Sequence, residues 1–199
     1  LESLFLMERI GGGIGILEME AGDEELDLDM LLRRLLLASE KATAAEKGFE
    51  TCFYDERLEA MVNRETDIVE ALNAIATGSG TDDRLIMQYQ PVANIKKGTI
   101  CGFEALSRLQ TAKLGLVPPG EFIPIAEKTK LILPIGERVI VNAFRFLNRL
   151  KEQGYRDICV SVNISVLQLL SPDFTDRIFE LVNEMNTSPD YGCLEITES

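Results

Sequence analysis

The 199 residues contain no histidine and no tryptophan, and basic side chains are outnumbered, 20 against 33 acidic, for a net charge of −13. The missing imidazole excludes a Ser-His-Asp triad, histidine general acid–base chemistry and any histidine-ligated metal within this stretch. The shortage of cations argues against a nucleic-acid polymer as a non-specific partner, and an anionic substrate would have to be met by locally placed charge. Four cysteines, Cys52, Cys101, Cys159 and Cys193, form no Cys-x-x-Cys pair. Three of them sit in apolar strand-like runs, so they are expected to be free and buried rather than disulfide-bonded or metal-bound. Apolar runs are broken by charge or glycine within about ten residues, far short of the roughly 20 that span a bilayer, and no signal peptide opens the chain. A cytoplasmic setting is the expectation. Leu1 is not an initiator methionine and no closing element precedes Ser199, which reads as a segment of a longer protein.

What is present suffices for a sizeable core: 46% hydrophobic and 27% charged residues suit one large domain, or one domain with part of another. The glycine-rich stretch 10–17, IGGGIGIL, invites a phosphate-loop reading but fails it. The third glycine of G-x-G-x-x-G would fall at Ile16, and no Gly-Lys-Ser/Thr follows, so a short strand leaving a turn is the better reading. Residues 18–29 carry seven acidic side chains and read as a solvated loop entering a helix N-terminus, where negative charge is favourable. Leu28, Leu31, Leu32, Leu35 and Leu36 then follow helical spacing, predicting an amphipathic helix that stops before Gly48. A short strand is expected at 50–54 and a second helix from Asp55, with Val62, Val69, Leu72 and Ile75 on one side, ended by Gly78 and Gly80. The shift in composition there places a linker and domain boundary at 77–84.

Beyond it strands and helices alternate. Residues 85–91 predict a strand with Gln88 and Gln90 on one face, and a turn at 94–98 leads back into an antiparallel partner, the stretch 99–109, TICGFEALSRL. Period two places Glu104 and Arg108 on one face with Gly102 and Leu106, and Phe103, Ala105 and Ser107 on the other. A glutamate inside an apolar strand needs a metal ion, a salt bridge or exposure to account for it. A short helix is expected near 121–129, then a longer one from Pro134 with Val139, Ala143, Phe146, Leu147 and Leu150 buried, ended near Gly154. A strand at 157–164 with Ser161 and Asn163 on one face, a helix at 172–185 and a last strand at 192–198 complete the pattern, which predicts a parallel sheet with right-handed crossovers. Glu104, Asn163 and Glu195 thus lie at or near the C-terminal ends of three successive strands, the rim where sites of α/β folds gather. Two carboxylates and an amide oxygen suit Mg²⁺ or Mn²⁺ rather than zinc, although exposed strand ends making loop hydrogen bonds would also account for them. An arginine such as Arg108, taken alone, is more often a surface ion-pair partner than a phosphate ligand, and Gln88 and Gln90 would serve as the polar face of an edge strand.

The ordered segments QYQPV at 88–92, GFEALSR at 102–108, EFIPIAE at 121–127, PIGE at 134–137, VNIS at 162–165 and LEITES at 194–199 resemble the EAL domain family of cyclic di-GMP phosphodiesterases. More weakly, GIGIL at 13–17, LLRR at 31–34 and FYD at 53–55 resemble the tail of a GGDEF domain. The resemblance implies an α/β fold: the first half of a modified TIM (β/α) barrel with an antiparallel first strand over 85–199, a linker helix over 61–84, and an α+β GGDEF-like remnant over 1–60. It further implies that Glu104, Asn163 and Glu195 hold Mg²⁺ or Mn²⁺, with Glu104 and Glu195 catalytic. Gln90 and Arg108 would contact cyclic di-GMP, Arg108 at a phosphate, and Glu198 would support the active-site loop. The Asp-Asp pair, lysine, glutamate and glutamine that complete the family's site would lie beyond Ser199. Hydrolysis of cyclic di-GMP to linear pGpG by a homodimeric parent protein is the expected function; a catalytically inactive EAL domain that binds cyclic di-GMP as a receptor or interaction module is the alternative, and a scaffold binding neither nucleotide nor metal the third reading.

Overall fold

A computed structural model describes residues 3–10, 13–20, 27–43, 51–80, 82–155 and 157–196. They form two compact units, residues 1–66 and 67–199. The division falls inside a helix, α2 (Glu56–Thr77), and not at the glycines of 77–84. The reason is packing: Ile68, Leu72 and Ile75, from the C-terminal part of α2, are buried with Leu109, Val117 and Phe122 in the core of the second unit.

In the first unit β1 (Ser3–Ile10) pairs antiparallel with β2 (Gly13–Glu20), and β2 pairs parallel with β3 (Thr51–Phe53). The strand β2 therefore runs on into the acidic stretch expected to be loop; residues 21–26 and 44–50 lie outside the described residues. Helix α1 (Leu28–Thr43) lies against β2 on a face that keeps only Leu31 and Leu35 of the five leucines in the predicted stripe. Leu31, Leu35, Ala38, Ser39 and Ala42 are buried, whereas Leu28, Leu32 and Leu36 are 67%, 43% and 39% exposed. Close approach selects that face. A Cβ on Gly15 would stand 2.5 Å from the Leu35 carbonyl oxygen and 2.7 Å from the Ser39 amide, so the glycines of the rejected phosphate loop serve helix–strand contact.

The second unit is a five-stranded sheet in the order β4 (84–94), β5 (99–111), β7 (159–164), β8 (192–196), with β6 (115–117) on β5. Strand β4 (Arg84–Asn94) turns at 95–98 into β5 (Thr99–Thr111), its antiparallel neighbour. The short β6 (Gly115–Val117), not foreseen from the sequence, folds back on β5 after a turn that Gly115 completes at φ +70°. Helices α3 (Pro119–Lys128) and α4 (Ile132–Glu152) lead to β7 (Cys159–Ile164), parallel to β5. A four-residue helix α5 (Val166–Leu169), then α6 (Phe174–Glu184), lead to β8 (Gly192–Ile196), parallel to β7.

Alternation settles which sheet face is apolar. Ala105, Val160 and Val162 are buried against Val139, Ile140, Ala143, Phe144 and Leu147 of α4. Ile140 and Phe144 replace Phe146 and Leu150 in the predicted buried face of α4, because the helix lies across the sheet rather than on one strand; Phe146 is half-buried and stacks on Tyr89 at a 3.6 Å centroid distance. Arg177 ties α6 to α4 through two bonds to Glu137, 2.6 and 3.0 Å, and reaches Glu180 and Glu184, which together hold its guanidinium firmly protonated. The cysteines are free, as expected, but not buried. Cys52 and Cys101 are half-buried and Cys159 and Cys193 exposed, the latter two because they alternate onto the face opposite α4. Among the described residues no helix is long and apolar enough to cross a membrane.

Two outcomes follow from this packing. Gly15→Ala forces α1 away from β2 and is expected to destabilise the first unit by about 1–3 kcal/mol, read by urea unfolding. Burial pushes the Tyr89 phenol above its ordinary 10, against a smaller opposing pull from Arg149. The unfolded chain therefore ionises first as pH rises, so stability holds below about pH 10 and falls above it, and Tyr89→Phe is expected to flatten that alkaline loss in unfolding titrations.

Candidate active site

The face of the sheet opposite α4 carries the polar residues. Register places Gln90 of β4 directly opposite Glu104 of β5, Glu104 opposite Ser161 of β7, and Asn163 of β7 opposite Glu195 of β8. Directly paired residues on neighbouring strands share a face, so Gln90, Glu104, Ser161, Asn163 and Glu195 form one continuous polar strip. Glu104 and Asn163 are half-buried and Gln90 and Glu195 exposed.

One direct bond stitches the strip together: the Asn163 side-chain amide nitrogen donates to Glu104 Oε1 at 2.8 Å. This answers the question raised by a glutamate in an apolar strand, since the carboxylate is partly solvated and has an amide donor. It also fixes the asparagine, whose nitrogen faces Glu104 and whose carbonyl oxygen is left without a protein partner among the described residues. The second oxygen of Glu104 and both oxygens of Glu195 have none there either. These are hard oxygen donors, and a small divalent cation such as Mg²⁺ or Mn²⁺ fits their chemistry better than zinc does. They do not fill an octahedral shell: among the described residues no three His, Cys, Asp or Glu side chains gather closely enough to hold an ion. Further ligands would have to be water, substrate or other protein groups.

Arg108 shares the strip's face, four residues beyond Glu104 and so about 13 Å farther along β5. Its one hydrogen bond among the described residues goes to the adjoining Ser107 carbonyl, 2.8 Å. The guanidinium is therefore not committed to a carboxylate. Glu198 lies outside the described residues.

Residues of the VNIS, EFIPIAE and PIGE segments without a predicted site role have structural ones. Ser165 caps α5, accepting from the Leu167 amide at 3.2 Å, and its hydroxyl donates to Glu127 Oε1 of α3 at 2.5 Å. Gln168 answers by accepting from the Ser165 amide at 3.1 Å, a capping box that Ser165 and Gln168 signalled by their spacing. Gln168 is only 4% exposed, and it lies so close to α4 that a Cβ on Gly136 would stand 2.0 Å from its Nε2.

Fold and face together define an α/β protein of partial TIM-barrel type with a carboxylate–amide strip on one sheet face. The EAL domain model matches residues 71–199, well over half of the chain, and the chain belongs to the EAL domain family. It is 28% identical over 191 residues to the bifunctional diguanylate cyclase/cyclic di-GMP phosphodiesterase MucR of Pseudomonas aeruginosa, covering 96% of this chain and 27% of MucR. It is 34% identical over 118 residues to the cyclic di-GMP phosphodiesterase PdeR of Escherichia coli, covering 59% of this chain and 18% of PdeR. Among solved structures, the PaMucR phosphodiesterase in complex with c-di-GMP superimposes with a TM-score of 0.60 at 32% identity, over 66% of this chain and 52% of that one. The chain thus spans about a quarter of MucR and about half of the solved phosphodiesterase.

Exchanging donor for acceptor tests the central bond. Asn163→Asp sets two carboxylates against each other and is expected to destabilise the second unit by about 1–3 kcal/mol. Adding Glu104→Gln to that variant restores a donor–acceptor pair in the reverse sense and should recover most of the loss in a double-mutant cycle read by thermal unfolding.

Proposed function

We propose that the protein carrying this chain hydrolyses cyclic di-GMP to linear pGpG in a reaction that requires Mg²⁺ or Mn²⁺. The observation that carries this is the Asn163 amide bound to Glu104 while in register with Glu195, which collects oxygen donors from three strands on one face. Family membership and the phosphodiesterase names of MucR and PdeR support it. Glu104, Asn163 and Glu195 are the residues that would hold the ion. When bound, it supplies an acidified water and positive charge against the phosphodiester oxygens. Water oxygen forms the new bond to phosphorus as the bond to the ribose 3′ oxygen breaks, and that oxygen leaves as a hydroxyl after taking up a proton. Arg108 binds a phosphate oxygen, countering the charge of a strongly acidic chain, and Gln90 orients the nucleotide from β4. Glu198 supports the active-site loop. Glu104 and Glu195 are the carboxylates that would hold the ion beside the reacting phosphate.

The remaining expectations belong to the same proposal. Residues 1–60 derive from a GGDEF-like domain; their α+β arrangement and an alignment with a bifunctional cyclase–phosphodiesterase over nearly the whole chain support this. The protein works as a cytoplasmic homodimer. A receptor that binds cyclic di-GMP without cleaving it would not require Glu104, Asn163, Glu195 and Arg108 all to be present, so the enzyme reading is preferred.

Glu104→Gln preserves size and an acceptor oxygen while removing the charge. It is expected to lower Mg²⁺- or Mn²⁺-dependent formation of pGpG, followed by chromatography, by at least about a hundredfold. Unchanged turnover would reject the metal role, and cyclic di-GMP binding with no turnover in the parent protein would install the receptor reading.

A further inference from the structure

We infer that Glu127 is a positioning residue for the candidate site, acting on Asn163 through Ser165. This rests on the phosphodiesterase reading only for its effect on turnover; the structural coupling stands apart from it.

The Glu104 carboxylate only accepts and so selects the Asn163 amide nitrogen, but that single bond does not fix the backbone that carries Asn163. Nor does the element that follows. Helix α5 has four residues, too few to sustain itself, and it begins three residues beyond Asn163. Residues 163–168 are instead held from outside. Ser165 has its polarity fixed from both sides: it accepts from the Leu167 amide, so its proton goes to Glu127 Oε1. At 2.5 Å, with a half-buried carboxylate as acceptor, this is a short charge-assisted bond, of the stronger kind. It spans 38 residues of sequence and ties the end of β7 to the end of α3. Gln168, seated against Gly136, fixes the other side of the same turn from α4. The chain of contacts therefore runs Glu127, Ser165, the β7 backbone, Asn163, Glu104. A purely capping role for Ser165 would need only the Leu167 and Gln168 bonds; the bond to Glu127 goes beyond them.

The test is the exchange rate of the Asn163 side-chain amide protons, read by ¹⁵N NMR, together with Mn²⁺ affinity, kcat and KM. Glu127→Ala and Ser165→Ala should each speed that exchange about five- to tenfold. Each should weaken Mn²⁺ binding and lower kcat by about 10–100-fold with KM for cyclic di-GMP little changed. The double variant should be no worse than either single one, and Glu127→Gln, which keeps an acceptor oxygen, should restore most of the loss. Unchanged exchange in Glu127→Ala, or equal losses in Glu127→Ala and Glu127→Gln, would overturn the inference. If the parent protein neither binds Mn²⁺ nor cleaves cyclic di-GMP while exchange still responds to Glu127→Ala, the positioning stands and the phosphodiesterase reading falls.

Discussion

A strand buries every second side chain beneath a covering helix, and the second unit depends on that constraint being met in three parallel strands at once. Ala105, Val160 and Val162 go under α4, so Glu104, Ser161, Asn163 and Glu195 must emerge on the other face. A shift of one residue in any of these strands would drive a carboxylate or an amide into the apolar layer, at a cost of several kcal/mol for an unpartnered group. The hydrophobic core thereby sets the geometry of the polar strip. The same contacts that stabilise the sheet align oxygen donors from separate parts of the chain.

The strip is tolerable because it is partly wet and partly paired. Glu104 shares the amide of Asn163, and Glu195 is open to solvent. Two carboxylates on adjoining parts of one face still repel, and an asparagine between them lowers that cost while leaving a carbonyl oxygen for a cation. The absence of histidine has a chemical counterpart here: an all-oxygen donor set suits Mg²⁺ or Mn²⁺, whereas an imidazole would broaden the site toward zinc. Around the strip, residues with no predicted site role hold the structure in place. Glu127, Ser165, Gln168 and Gly136 lock the turn after β7, and Glu137 with Arg177 joins α4 to α6.

Much of the second unit was legible because its signals are local. Alternation in 99–109 and 157–164 placed Glu104 and Asn163 on the faces they occupy, and the four-residue turn between β4 and β5 required an antiparallel pair. The apolar periodicity of α1 and α4 gave the helices and part of each buried face, Leu31 and Leu35 in α1 and Val139, Ala143 and Leu147 in α4, but missed the rest. Periodicity reports that a stripe exists, whereas the partner decides which stripe is used: small residues of α1 face β2 because its glycines admit close contact, and Ile140 and Phe144 of α4 are covered because the helix crosses the sheet. The cysteines illustrate the same limit. Cys159 and Cys193 stand in apolar runs, yet their parity places them on the polar face.

Composition and pattern by themselves determined the class of chemistry available, the alternation of strands and helices, and which residues share a strand face, since each depends on a residue and its near neighbours; they did not fix strand length, for β5 runs on to Thr111 and leaves Glu104 in its middle rather than near its end. Tertiary structure alone decided that Asn163 donates to Glu104, that Glu127 reaches Ser165 across 38 residues, and that the compact units divide within α2. Those outcomes arise from strand register and helix docking, which are fixed by contacts between residues distant in sequence and so leave no trace in any single stretch of it.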